Sequence, residues 1–206
     1  MSLEHLDRET RSLIAFAGII AAGDESVLLA GCRECRAAGV SAVWMDELLL
    51  QSVLMVGWPR ALNSFTAWRQ VGLPPADGGK TGEDYSHLAE WQARGEAVCR
   101  EVYGKNYSRL RENVRALHPA LDVWMVTEGY GKTLGRPGLD LARRELCVAV
   151  QVAIQGAERQ LHSHLRGAVN AGASVAVVTE ALELIRPLLG PRELGLAMSL
   201  WERIRQ

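Results

Sequence analysis

The sequence has few of the features that would place it outside the soluble globular class. Four cysteines (Cys32, Cys35, Cys99 and Cys147) in 206 residues are too few for a disulfide framework, and a reducing cytoplasm is the expected location. Neither sign of charge is in excess: the formal net charge is −1 and the signs are mixed along the chain. No basic patch interleaved with aromatics occurs, so neither nucleic acid nor an anionic membrane is an expected partner. The longest apolar run, residues 13–22, is interrupted by Gly18 and is too short to span a bilayer. Residues 1–11 are polar and charged, without the apolar core of a secretory signal. Runs of alternating β-branched residues are also missing, which argues against a sheet.

What remains is helical. The chain is 48% hydrophobic, enough for a buried core, and segments rich in Ala, Leu, Arg and Glu recur with helical periodicity. The pattern predicts helices over about residues 8–22, 25–38, 41–56 and 60–71, with a stop at Gly57-Trp58-Pro59. Ser41 is a suitable N-cap. Further helices are predicted over about 84–103 and 107–117. Residues 73–82 (LPPADGGKTG) read as a linker, and residues 129–139 (GYGKTLGRPGL) as an ordered loop.

An internal repeat organises the chain. A displacement of 133 positions aligns Arg11 with Arg144, Leu13 with Leu146, Gly23 with Gly156 and Glu25 with Glu158. Without a gap it continues through Leu28 with Leu161, Arg33 with Arg166, Gly39 with Gly172, Ser41 with Ser174, Glu47 with Glu180 and Gly57 with Gly190. The matched glycines fall at helix breaks, where positive φ is wanted. The expected architecture is all-α, from two copies of one unit: residues 1–75, then a linker and start of helix over 76–94, then residues 95–206. The copies differ in polar chemistry, since Ser12 stands opposite Glu145 and Gly31 opposite His164.

The aligned region resembles the carboxymuconolactone decarboxylase family, which includes the alkylhydroperoxidase D branch. In the first copy the carriers are Thr10-Arg11-Ser12-Leu13-Ile14 and Asp46-Glu47-Leu48-Leu49-Leu50-Gln51, continuing through Gly57, Pro59 and Asn63. In the second they are Gly135-Arg136-Pro137-Gly138-Leu139-Asp140, then Arg144-Glu145-Leu146, then Gln160-Leu161-His162-Ser163-His164-Leu165-Arg166-Gly167-Ala168. The stretch from Val98 through Cys99 and Tyr103 to Gly104 also looks like the start of such a unit. The resemblance implies tandem helical units of the alkylhydroperoxidase D-like fold. It also implies a homo-oligomer, in which a trimer of two-unit chains mimics a hexamer of single units. Two tryptophans that family decarboxylases carry before Arg-Pro-Gly-Leu are replaced here by Tyr130 and Leu134, and the second copy lacks the Gln…Gly-x-Pro ending.

His164 is the first candidate for chemistry, because imidazole gives or takes a proton near neutral pH. The competing reading is a helix histidine at a packing interface. Glu145 lies nineteen positions earlier, and in the alkylhydroperoxidase branch a glutamate there joins a proton relay with the histidine. A carboxylate beside imidazole raises its basicity and fixes its tautomer. The competing reading pairs Glu145 with Arg143 or Arg144 on the surface. That branch also places cysteines seven and four residues before the histidine, positions held here by Ala157 and Gln160.

Cys32 and Cys35 form a Cys-x-x-Cys on a predicted helix, with Arg33 and Arg36 expected to favour thiolates. They align with Leu165 and Ala168, after the histidine position, and their other reading is structural. Glu158 and His162 share a helix face, but two ligands do not make a site, so no metal or cofactor is expected. Arg136 and Arg166 are candidates for holding a substrate carboxylate. The six tryptophans read as core or interface residues.

Three functions follow as expectations. The leading one is cofactor-free acid/base decarboxylation, or a related reaction, of a small carboxylated lactone in aromatic-compound catabolism, as the resemblance implies. The alternatives are a thiol-dependent alkylhydroperoxidase or disulfide reductase using Cys32 and Cys35, and a non-catalytic ligand-binding or assembly protein.

Overall fold

The computed structural model describes residues 5–72 and 85–206, and among them every regular element is helical. The linker expected at 73–82 lies outside the described residues. The chain runs through α1 (Arg8–Ala22), a 3-10 turn (Glu25–Val27), α2 (Leu28–Ala38) and α3 (Ala42–Gln70). It resumes with α4 (Leu88–Tyr103), α5 (Tyr107–Leu117), α6 (Pro119–Trp124) and a π-helix (Met125–Leu134). The chain ends with α7 (Leu141–Ile154), α8 (Glu158–Asn170), α9 (Val175–Leu184) and α10 (Pro191–Ile204). Among the described residues no helix is long and apolar enough to cross a membrane.

The repeat is visible in the helix ends. Asp7 caps α1 by accepting from the Thr10 amide, and Asp140 caps α7 by accepting from the Arg143 amide. Ser41 and Ser174 cap α3 and α9 in the same way, each through the amide three residues on. These side chains satisfy first-turn donors that have no partner within the helix. The turns after α1 and α7 hold Gly23 and Gly156 at φ 76° and 65°, and those after α2 and α8 hold Gly39 and Gly172 at 92° and 102°. Only glycine takes such angles without strain. At Gly57 the backbone leaves helical geometry (φ 77°, ψ 167°), so α3 is two helices joined at a kink. The aligned Gly190 lies in the break that separates α9 from α10.

The segment expected to be a loop is partly a π-helix, which takes in residues 129–134. Its backbone touches that of α4. A Cβ on Gly95 would lie 2.0 Å from the Val126 carbonyl oxygen, and one on Gly131 would lie 2.0 Å from that of Trp91. Two glycines therefore permit a close approach that no other residue allows, and the Arg94 guanidinium ties it by donating to the Gly131 carbonyl at 2.8 Å.

Helix α7 is the central element. All its residues from Arg144 to Ala153 are buried, as expected of a helix packed on every side. It packs against α1, α3 and α8. Each fully buried Leu or Val contributes about 1.5–3 kcal/mol, and Leu146, Val148 and Val150 are at most 1% exposed. Trp68, Trp91 and Trp201 also belong to the interior, whereas Trp58 and Trp124 are exposed. Trp44 lies beneath the Arg143 guanidinium, 4.4 Å from ring centroid to Cζ.

Candidate active site

The central position of α7 buries two consecutive charged residues that turn to different partners. Arg144 faces the first copy: it donates to Glu47 Oε2 at 2.8 Å and to Gln51 Oε1 at 3.1 Å. Arg143 reaches Asp7, Asp140 and Thr10. Glu145 therefore pairs with neither arginine, and it is fully buried rather than on the surface.

Glu145 faces α8 instead. The buried face of α8 is Leu161, His164, Leu165 and Ala168, a stripe at spacings of three and four. His164 is on it, while His162 points outward. His164 Nδ1 and Glu145 Oε2 are 2.8 Å apart. With the carboxylate accepting from Nδ1–H, Nε2 is left to take or give a proton.

Glycine makes room for this pair. A Cβ on Gly167 would stand 2.3 Å from Glu145 Oε2 and 2.8 Å from Val102 Cγ1. Glu145 Oε1 is buried without a hydrogen-bond partner among the described residues, an arrangement that costs about 1–3 kcal/mol or more unless it serves a ligand or water.

Beside the pair are three groups that keep their protons. Burial pushes the Cys99 thiol up to about 12. Burial also raises Tyr103 and Tyr130, and the negative charge of Glu145 adds to the shift of both phenols. Their hydroxyls are 3.2 Å apart, Tyr130 donating.

A cavity of about 280 Å3 opens next to this cluster, between α5 and α8. Tyr103 and Ser163 line it, together with Arg109 and Arg166 and the carboxamides of Asn106 and Asn113. No acidic side chain lines it, and neither arginine has an ion-pair partner among the described residues. Such a wall favours an anion. His164 is not in the lining; its neighbours His162 and Ser163 are.

The other candidates lie elsewhere. Arg136 donates from Nε to both Glu47 oxygens at 3.1 Å, so it belongs to the junction between the copies and not to the wall that holds Arg166. Cys32 and Cys35 are buried free thiols. Burial pushes Cys32 up to about 12 and Cys35 higher still, so Arg33 and Arg36 do not produce the thiolates expected from the sequence. Arg36 is turned to the Val71 carbonyl.

In the first copy the equivalent place is filled. A Cβ on Gly31 would stand 2.7 Å from Phe16 Cδ2, and Phe16 aligns with the small Ala149. The ring occupies the space a histidine would need.

Gly167, Arg109 and the Tyr103–Tyr130 pair are not legible as site residues in the sequence. Gly167 stood inside the quoted histidine motif, and Tyr130 stood where a family tryptophan was expected. Arg109 carried no signal, because its role depends on α5 lying over α8.

No curated protein matches the chain in sequence comparison. The family model described as the carboxymuconolactone decarboxylase family matches residues 1–70 and 119–202. These two segments contain the repeated helices and the buried Glu145–His164 pair. The chain therefore belongs to the carboxymuconolactone decarboxylase family.

Proposed function

We propose that this protein is a cofactor-free acid/base catalyst that decarboxylates a small carboxylated lactone or a closely related acid. The observation that carries the reading is the buried Glu145–His164 pair at 2.8 Å, beside a cavity lined by Arg166 and by no acidic side chain among the described residues. Arg166 holds a substrate carboxylate by paired hydrogen bonds. The bond from the lactone carbon to the departing carboxylate breaks, CO2 leaves, and the electron pair spreads into the unsaturated lactone as a dienolate. Protonated His164 then gives its proton to carbon from Nε2, while Glu145 holds the ring and stabilises the imidazolium.

Arg136 is less suited to the carboxylate than Arg166, because Glu47 already engages it. The thiol-dependent alternative is disfavoured by the raised thiols of Cys32 and Cys35, since the thiolate is the reactive form. One observation favours a binding protein without chemistry: His164 is buried, and Ser163 forms the adjoining wall. Turnover separates these readings. Incubation with a carboxylated unsaturated γ-lactone in D2O is expected to release CO2 and leave one solvent deuteron on carbon. Binding without CO2 release would support the non-catalytic reading. We further propose a trimer, which light scattering would report as three times 22.6 kDa; a monomeric mass would overturn it.

A further inference from the structure

The Tyr103–Tyr130 pair stands between the cavity, which Tyr103 lines, and the Glu145 carboxylate, whose charge acts on both phenols, and nothing in the reaction outlined above uses it. Tyr103 ends α4 and lines the cavity. Tyr130 comes from the π-helix and is buried, and the two rings meet edge to face with centroids 6.0 Å apart. This meeting depends on the glycine-to-backbone approach of α4 and the π-helix, which two glycines alone make possible.

The hydroxyl pair has a direction. Tyr130 donates to the Tyr103 oxygen at 3.2 Å. The Tyr103 oxygen is thereby an acceptor, and its own hydrogen is turned to the side of the cavity, where the Ser163 hydroxyl is its hydrogen-bonding neighbour until a ligand takes that place. Accepting a hydrogen bond polarises a hydroxyl and strengthens it as a donor. Burial and the Glu145 charge keep both phenols protonated, so Tyr103 acts as a donor and not as a base. A neutral donor fixed at a cavity wall suits an oxygen on which negative charge develops.

We propose that Tyr103 is a further catalytic residue, donating a hydrogen bond to the developing oxyanion of the molecule bound in the cavity, and that Tyr130 is a positioning residue acting through Tyr103. This rests on the acid/base reading above. It adds the substrate's lactone oxygen as the group recognised, distinct from the carboxylate held by Arg166.

The test is an NMR titration of the whole protein, labelled at tyrosine Cζ, histidine and arginine, with 5-oxotetrahydrofuran-2-carboxylate, a small carboxylated lactone. The expected result is that Tyr103, His164 and Arg166 respond together. Tyr103→Phe is expected to weaken binding about 5- to 20-fold, the worth of one hydrogen bond. Tyr130→Phe should weaken it less, and the double variant should be no worse than Tyr103→Phe alone. A merely structural Tyr130 would instead add its own loss to the double variant, which overturns its positioning role. If His164 and Arg166 respond while Tyr103 does not, and Tyr103→Phe binds as the unaltered protein does, the proposal falls and the acid/base reading stands. No response at any of the three residues overturns both.

Discussion

Arg144 and Glu47 meet at 2.8 Å although 97 positions separate them, and the repeat contains the reciprocal pair. Displacing each residue by 133 positions gives Arg11 and Glu180, which form an ion pair of their own. The copies thus grip each other through the same contact used twice, as the halves of a two-fold dimer do. The two contacts differ in burial. The Arg144 and Glu47 side chains are 1% and 4% exposed, those of Arg11 and Glu180 47% and 35%.

That difference predicts unequal effects. Glu47→Ala leaves Arg144 buried without its charge partner, removes the same carboxylate from Arg136, and should cost about 3–5 kcal/mol. Glu180→Ala should cost about 0.2–1 kcal/mol, as exposed pairs do. Urea denaturation of the two variants measures both values, and equal losses would contradict the reading of Arg144–Glu47 as the buried junction.

Gly167 and Gly195 give a matched test of crowding against helix propensity. Both lie inside helices, but nothing stands within 4 Å of a Cβ on Gly195, whereas one on Gly167 meets Glu145 at 2.3 Å. Gly195→Ala should stabilise by about 0.5–1 kcal/mol, the ordinary gain of Ala over Gly in a helix. Gly167→Ala should destabilise and push Glu145 off His164. Thermal melts decide the signs, and a stabilised Gly167→Ala would show that the pair has slack.

The thiols supply a pH prediction. Cys32, Cys99 and Cys147 rise from 9.0 to about 12 on burial. The native protein should therefore resist iodoacetamide near pH 8 and react only on unfolding. Each thiol is protonated in both states below about pH 9, so its contribution to folding is fully present there. Above pH 9 the unfolded chain loses the proton first, and stability falls as pH rises towards 12. Denaturation midpoints between pH 8 and 11 measure the fall; a flat profile would contradict it.

The sequence carried the architecture because its punctuation is local. Gly23, Gly39, Ser41 and their counterparts each mark a helix end through the conformation of one or two residues. Glu145 and His164 were found by motif, and the structure joins them. What stayed hidden depends on distant backbone. The π-helix has no sequence period of its own and exists against Gly95, so residues 129–134 looked like a loop. Arg136 looked available because Glu47, its partner, lies 89 positions away. Tyr103 and Tyr130 are 27 apart, and their contact needs the same π-helix.

The acid/base role proposed for His164 is read from the rate of CO2 release from a carboxylated unsaturated γ-lactone. His164→Ala should lower kcat by about 10²- to 10⁴-fold, the usual worth of a positioned acid or base, with the fold retained by circular dichroism. A folded His164→Ala variant that turns over the lactone at the unaltered rate would contradict the account.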